Sequence, residues 1–266
     1  MPLFTPANKD DSWPKALAKT LNPRFQIGFM RQTRDQFRSK NDHILAQNTA
    51  KGTIVLVPGL TCRPSTLRIL QAALIKILWD EYNIVFSRPH DPILNNTAWR
   101  DFLWSHYRSE IARILDTHEK NGNGIILAHS HGGTATVSAI LDEYGSPIPK
   151  DVHIDLLAPS LGKVWLANIP LWALAGALDD LRKERVFSDR EIEEFLKNID
   201  SVNVTITKKD SLVPPESQHI TANTIGENYA HKVTEVTHPW DHLDAVNGAQ
   251  VSTYAGEVAD RIKKRR

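Results

Sequence analysis

Short runs of aliphatic and β-branched residues recur along the chain, separated by longer stretches whose apolar residues return every three or four positions. Thr53–Val57, Asn83–Ser87, Gly124–Ala128, Val152–Leu157, Val202–Thr207 and Lys232–Thr237 read as strands. The first is apolar at nearly every position and stops at Pro58-Gly59, the pattern of a strand buried on both faces. Arg63–Trp79 places Leu67, Leu70, Ala73, Leu74, Ile77 and Leu78 on one helical face. Thr97–Leu115 does the same with Trp99, Leu103, Tyr107, Ile111 and Leu115, and Thr97 suits an N-cap. Gly132–Tyr144, a short helix from Pro214, and a single long helix over Leu243–Lys263 complete the expected elements.

Strands that alternate with helices are joined by crossovers and therefore run parallel. The expected class is α/β: a mostly parallel sheet covered by helices on both faces. Residues 1–50 form a peripheral segment with leading strands, and 51–266 form one domain. The alternation breaks at about 163–200, where two helical stretches, Trp165–Arg185 and Ser188–Ile199, follow one another without a strand. Ser188-Asp189-Arg190-Glu191 fits a capping box. The insertion reads either as a lid across one end of the sheet or as a crossover helix with a long extension.

Composition narrows the partners more than the fold. The 266 residues include 32 Lys and Arg against 31 Asp and Glu, a formal charge of +1, so no strong field draws the chain to nucleic acid or an anionic membrane. At 41% hydrophobic and 24% charged it is an ordinary globular chain. The lone Cys62 excludes an intrachain disulfide and a Cys-based zinc site. The N-terminus lacks the basic start and apolar run of a signal peptide. The longest apolar stretch, Val164–Leu178, falls short of the roughly 20 residues that span a bilayer. These features predict a cytoplasmic protein without a membrane span, with transient lipid contact left open and oligomeric state undetermined.

The chemistry concentrates where strands end. Gly124–Ala128 runs into His129-Ser130-His131-Gly132-Gly133 and then into a helix. A serine on such a turn is presented by a nucleophile elbow, which requires small residues two before and two after it; Ala128 stands where Gly is usual, and Gly132 fits. Pro58-Gly59 after the first strand offers the backbone N–H of Leu60 as an oxyanion donor, with His131 N–H as the second. Serine needs a base, and the base needs a carboxylate that holds its tautomer. Asp210 follows the strand at 202–207; His242 follows the strand at 232–237, with Asp241 and Asp244 beside it. His238 competes for the base, but it adjoins the strand and precedes Pro239, which restricts its backbone. His129 and His131 bracket the serine and read as packing or hydrogen-bonding residues.

In motif and element order, residues 53 to about 260 resemble the α/β-hydrolases. His129–Gly133 and His242–Asn247 are similar to the elbow and histidine segments of bacterial triacylglycerol lipases, and Val57-Pro58-Gly59 resembles an oxyanion loop of some other lipases. The resemblance implies Ser130 as nucleophile, Asp210 as acid, His242 as base, and Leu60 and His131 as oxyanion donors. In those lipases the Asp two residues after the His binds calcium, which points to Asp244. A glutamine expected near position 248 is Gly248 here, so no metal site is predicted, and no cofactor is called for.

The implied reaction is ester hydrolysis through an acyl-enzyme, on a small-molecule or lipid ester. A thioesterase or (lyso)phospholipase would use the same machinery, and a non-catalytic binding protein of the same fold would need one member misplaced. Trp165, Leu171 and Trp172, in the stretch apolar on nearly all sides, are candidate substrate contacts; the alternative is that they pack as core.

Overall fold

The computed structural model describes residues 52–59, 67–78, 81–86, 124–141, 152–164, 186–210, 212–220 and 227–265. The N-terminal segment, Leu60, Cys62, the expected helix over 97–115 and the apolar stretch with Trp165, Leu171 and Trp172 lie outside them.

Among the described residues, six parallel strands form one sheet in the order β2-β1-β3-β4-β5-β6. They are β1 (Gly52–Val57), β2 (Tyr82–Phe86), β3 (Gly124–His129), β4 (His153–Leu157), β5 (Ser201–Thr207) and β6 (Val233–His238). The helices are α1 (Arg68–Leu78), α2 (His131–Leu141), α3 (Asp189–Lys197), α4 (Glu227–Ala230), α5 (Asp244–Asn247) and α6 (Val251–Lys264). Every residue of β1, β3 and β4 is buried, which is why β1 and β3 read as nearly continuous apolar runs, whereas β4 also buries His153 and Asp155, which bond to each other.

Alternate residues of each strand face opposite sides, and two separate cores result. Val55, Val57, Ile126, Ala128, Ile154, Leu156, Val202 and Val204 pack against Ala135 and Ile140 of α2 and Ile192, Phe195 and Leu196 of α3. On the other face Ile54, Leu56, Ile125 and Leu127 meet Leu70, Leu74 and Leu78 of α1 and Tyr254, Val258 and Ile262 of α6. The sheet is therefore covered on both sides, as the alternation predicted.

Within the 163–200 insertion, α3 is a helix between β4 and β5 that packs into the core. Its capping box is formed: Glu191 N donates to Ser188 Oγ at 3.3 Å, and Ser188 N donates to Glu191 Oε2 at 2.7 Å. Lys232 Nζ closes the other end by donating to the carbonyls of Leu196 and Ile199 at 2.9 and 2.7 Å, where cations suit the helix dipole.

The single helix expected over 243–263 is a correction: the chain makes α5, breaks, and restarts as α6. Gly248 lies in an extended conformation, and a Cβ there would sit 2.7 Å from the Asp244 Cα. The apolar period runs on through this break, so the pattern did not reveal it. No helix among the described residues is long and apolar enough to cross a membrane.

Candidate active site

Three loops leave the carboxyl ends of β3, β5 and β6 and converge, the usual site position in an open parallel sheet. At the first, Ser130 adopts φ 56°, a left-handed conformation unusual for a residue other than glycine. Its N–H donates to the Leu157 carbonyl at 2.9 Å, and α2 begins at the next residue. The turn is crowded by backbone. A Cβ on Gly132 would lie 2.5 Å from the Pro58 carbonyl oxygen and 2.7 Å from that of Val57. A Cβ on Gly59 would meet the Ser130 Cβ at 2.8 Å. Ala128 is fully buried opposite Val57 in the β1–β3 register, so the departure from Gly at that position is accommodated.

The second loop carries Asp210, which is 2% exposed. Its Oδ1 accepts the N–H groups of Leu212 and Val213 at 2.8 and 2.9 Å. Its Oδ2 accepts the Thr207 hydroxyl at 2.7 Å, the Gln218 side-chain amide at 3.2 Å, and His242 Nδ1 at 2.6 Å. Burial is the strongest influence and would raise the carboxyl pKa. His242 and the other donors outweigh it and hold the group below the usual carboxylate range.

The third loop brings His242 to that carboxylate. Lys208 N donates to the His238 carbonyl and Lys209 N to the Trp240 carbonyl at 2.8 and 3.0 Å, lacing the acid and base loops together. Asp241 N donates to Asp244 Oδ2 at 2.9 Å, and Asp241 Oδ1 accepts the His242 N–H at 2.8 Å, so both acids brace the turn. Because an anionic Asp210 only accepts, the short bond places the His242 proton on Nδ1 and leaves Nε2 as the basic atom. His238 is held elsewhere. Its ring stacks on Trp240 at 3.7 Å, and its Nε2 lies 3.2 Å from Glu257 Oε2, a close contact not aligned as a hydrogen bond.

His129 links the first and third loops. Its Nε2 donates to the His242 carbonyl at 3.1 Å, and the two rings lie 4.7 Å apart. Burial, reinforced by His242, lowers its pKa from 6.5 to about 3, so it is neutral at physiological pH. His131 opens α2 and is 3% exposed.

The structure thus brings together Asp210 and His242, and sets His242 beside the residue that precedes Ser130. It does not join the Ser130 hydroxyl to the His242 ring by a hydrogen bond. Thr207 and Gln218, two donors to Asp210, were not anticipated: no motif marks them, and Gln218 resembles any other polar residue of its loop until that loop folds back. Among the described residues, no group of three or more His, Cys, Asp or Glu side chains is arranged to hold a metal ion.

No protein-family model matches the sequence, and no curated protein matches it. Solved structures do resemble it. A structure described under two metagenome-derived lipolytic enzymes, LipS and LipT, matches with a TM-score of 0.60 at 14% identity, over 83% of this chain and 96% of that one. Carboxyl esterase 2 from the fungus Tuber melanosporum matches with 0.57 at 13% identity, over 82% and 79%. Carboxylesterase CesB from Bacillus subtilis matches with 0.51 at 13% identity, over 78% and 83%. With the all-parallel sheet, its two helical layers and the strand-turn-helix at Ser130, these likenesses establish that the chain has the α/β-hydrolase fold.

Proposed function

We propose that the chain is a serine hydrolase acting on carboxylic esters, with Ser130 as nucleophile, His242 as general base and Asp210 as the acid that orients it. One observation carries the reading: a buried Asp210–His242 pair at 2.6 Å, hydrogen-bonded through His129 to the strand end that presents Ser130 in a left-handed turn. The resembling structures include proteins described as lipolytic enzymes and carboxylesterases, which supports the same reaction class.

Ser130 Oγ attacks the ester carbonyl while its proton passes to His242 Nε2. The resulting imidazolium is stabilised by anionic Asp210. Negative charge on the carbonyl oxygen falls to the backbone N–H groups of His131, the residue after the serine, and Leu60, after Gly59. His242 then protonates the departing alcohol, leaving an acyl-serine. Water, deprotonated by His242, releases the acid and restores the serine. The absent Ser130–His242 bond is consistent with a contact that tightens when substrate binds.

For the substrate we propose an apolar acyl group, from a small-molecule or lipid ester, covered by the stretch that contains Trp165, Leu171 and Trp172. The described residues on either side of that stretch support this placement. Ser160 N donates to the Ser130 carbonyl at 3.3 Å, Leu161 and Gly162 N–H donate to the Ser217 carbonyl, and Val186 N donates to the Leu161 carbonyl at 3.2 Å. The described residues that flank the stretch are therefore tied beside the serine turn and the Asp210 loop.

The test is labelling by a fluorophosphonate probe, followed by hydrolysis of p-nitrophenyl esters of increasing chain length beside acyl-CoA and phospholipid. Ser130→Ala is expected to abolish labelling and turnover with the fold intact. Labelling that persists in Ser130→Ala would refute the nucleophile assignment, preference for acyl-CoA or phospholipid would reassign the leaving group, and a folded parent that never labels would favour a binding protein.

A further inference from the structure

The acid loop contains a residue whose position is explained by neither packing nor the three groups that perform the chemistry. Gln218 is fully buried in a polar setting. Its Oε1 accepts the Thr207 N–H at 2.8 Å, while its Nε2 donates to the Val213 carbonyl at 2.8 Å and reaches Asp210 Oδ2 at 3.2 Å. Nε2 also lies 3.1 Å from Thr207 Oγ1, the hydroxyl that donates to the same Asp210 oxygen. The side chain thus spans the end of β5, the turn after Asp210 and the carboxylate itself. It is held from its other side because Gln218 N donates to the Pro215 carbonyl at 3.0 Å in the short 3-10 helix Pro215–Ser217.

We infer that Gln218 is a positioning residue: its side-chain amide, with the Thr207 hydroxyl, fixes the direction in which Asp210 Oδ2 faces His242 Nδ1. This rests on the ester-hydrolase reading above and adds a residue to it. The geometric basis is the division of donors. Oδ1 is set by two backbone N–H groups of its own turn, so rotation about the carboxylate is limited on that side. Among the described residues, Oδ2 is met only by side chains, and of these Gln218 is the one whose other hydrogen bonds anchor it to the backbone at two separate points. Without it, the oxygen that orients His242 depends on a single rotatable hydroxyl. The titratable groups facing the carboxylate are His242 from the base loop and, behind it, His129 from β3; Lys208 and Lys209 on the same turn are exposed.

The experiment compares Gln218→Leu and Gln218→Glu with the parent full-length chain. Three readouts are taken: kcat and KM on a short p-nitrophenyl ester, thermal unfolding, and the far-downfield proton resonance of His242 Nδ1–H. Loss of one hydrogen bond to a buried charge is expected to lower kcat by roughly 10- to 100-fold with KM changed by less than about twofold, and to shift or broaden the resonance. Should the Leu variant fail to fold, the isosteric Glu variant keeps the acceptor for Thr207 N–H and removes the amide donor. It is expected to show the same split with a larger fall, because a second carboxyl faces Asp210.

A folded variant with lowered thermal stability but unchanged kcat and resonance would make Gln218 merely structural and overturn the inference. If the resonance responds to substitution while the parent hydrolyses no ester, the positioning role stands and the ester-hydrolase reading falls. The two failures are therefore separate.

Discussion

Replacing Asp210 with Asn tests the tautomer argument most directly. The backbone N–H groups of Leu212 and Val213 point at Oδ1 and cannot reverse. An amide at this position must keep its oxygen on that side and turn its NH₂ toward the place of Oδ2. That group faces His242 Nδ1 at the 2.6 Å now spanned by the bond to Asp210. An N–H there requires Nδ1 to accept, so the imidazole proton moves to Nε2, the atom that takes the proton from Ser130 in the proposed reaction. Volume hardly changes, and the Thr207 hydroxyl can turn its proton to Gln218 Oε1 at 3.2 Å and accept instead; the Gln218 amide loses its acceptor at Oδ2, so stability should fall while the fold survives. The expected loss for a base locked in the wrong tautomer is about 10⁴-fold in kcat, roughly 5 kcal/mol of barrier. The assay is p-nitrophenyl ester hydrolysis, with circular dichroism to establish folding. A folded Asp210→Asn variant within about tenfold of the parent would refute the reasoning.

Other consequences follow from the same geometry. His129 is neutral in the folded state down to about pH 3 but titrates near 6.5 when unfolded. The unfolded chain therefore binds the extra proton between those values, and stability falls on acidification by about 1.4 kcal/mol per pH unit for this group alone. Urea unfolding at several pH values should show a shallower slope in His129→Phe than in the parent; identical slopes would contradict a buried neutral imidazole. Arg261 Nη2 donates to fully buried Asp155 at 2.6 Å, so Arg261→Met leaves an undercompensated charge. It should cost about 3–5 kcal/mol in urea unfolding while a folded sample keeps its esterase kcat. His238→Gln should hold kcat within a few-fold, whereas His242→Gln should lose it by at least about 10³-fold; the reverse order would exchange the two bases.

Much of this was legible along the chain, for reasons that differ by element. Val55 and Ile126 lie on strands buried on both faces, and such strands announce themselves as continuous apolar runs. The turn at Ser130 was legible because the close approach of α2 to the end of β1 leaves room only for Gly132. The break at Gly248 was hidden by an apolar period that continues across it. His238 and His242 were both plausible beside one strand end, and nothing in their spacing says which ring stacks on Trp240 and which reaches Asp210.

Local chemistry, then, was carried by residue order: small residues beside a serine, an acid after one strand, a histidine after a later one, and helices between strands. Tertiary structure alone settled the pairings that cross the chain. Asp210 and His242 meet because β5 and β6 are neighbours whose loops are laced by the Lys208 and Lys209 N–H groups. His242 reaches back to β3 because its own carbonyl is held by His129. Gln218 acquires its place only when its loop folds onto the Asp210 turn. A one-dimensional pattern records which face of an element is apolar, whereas a hydrogen bond between side chains distant in sequence depends on angles and distances that exist only after the sheet has assembled.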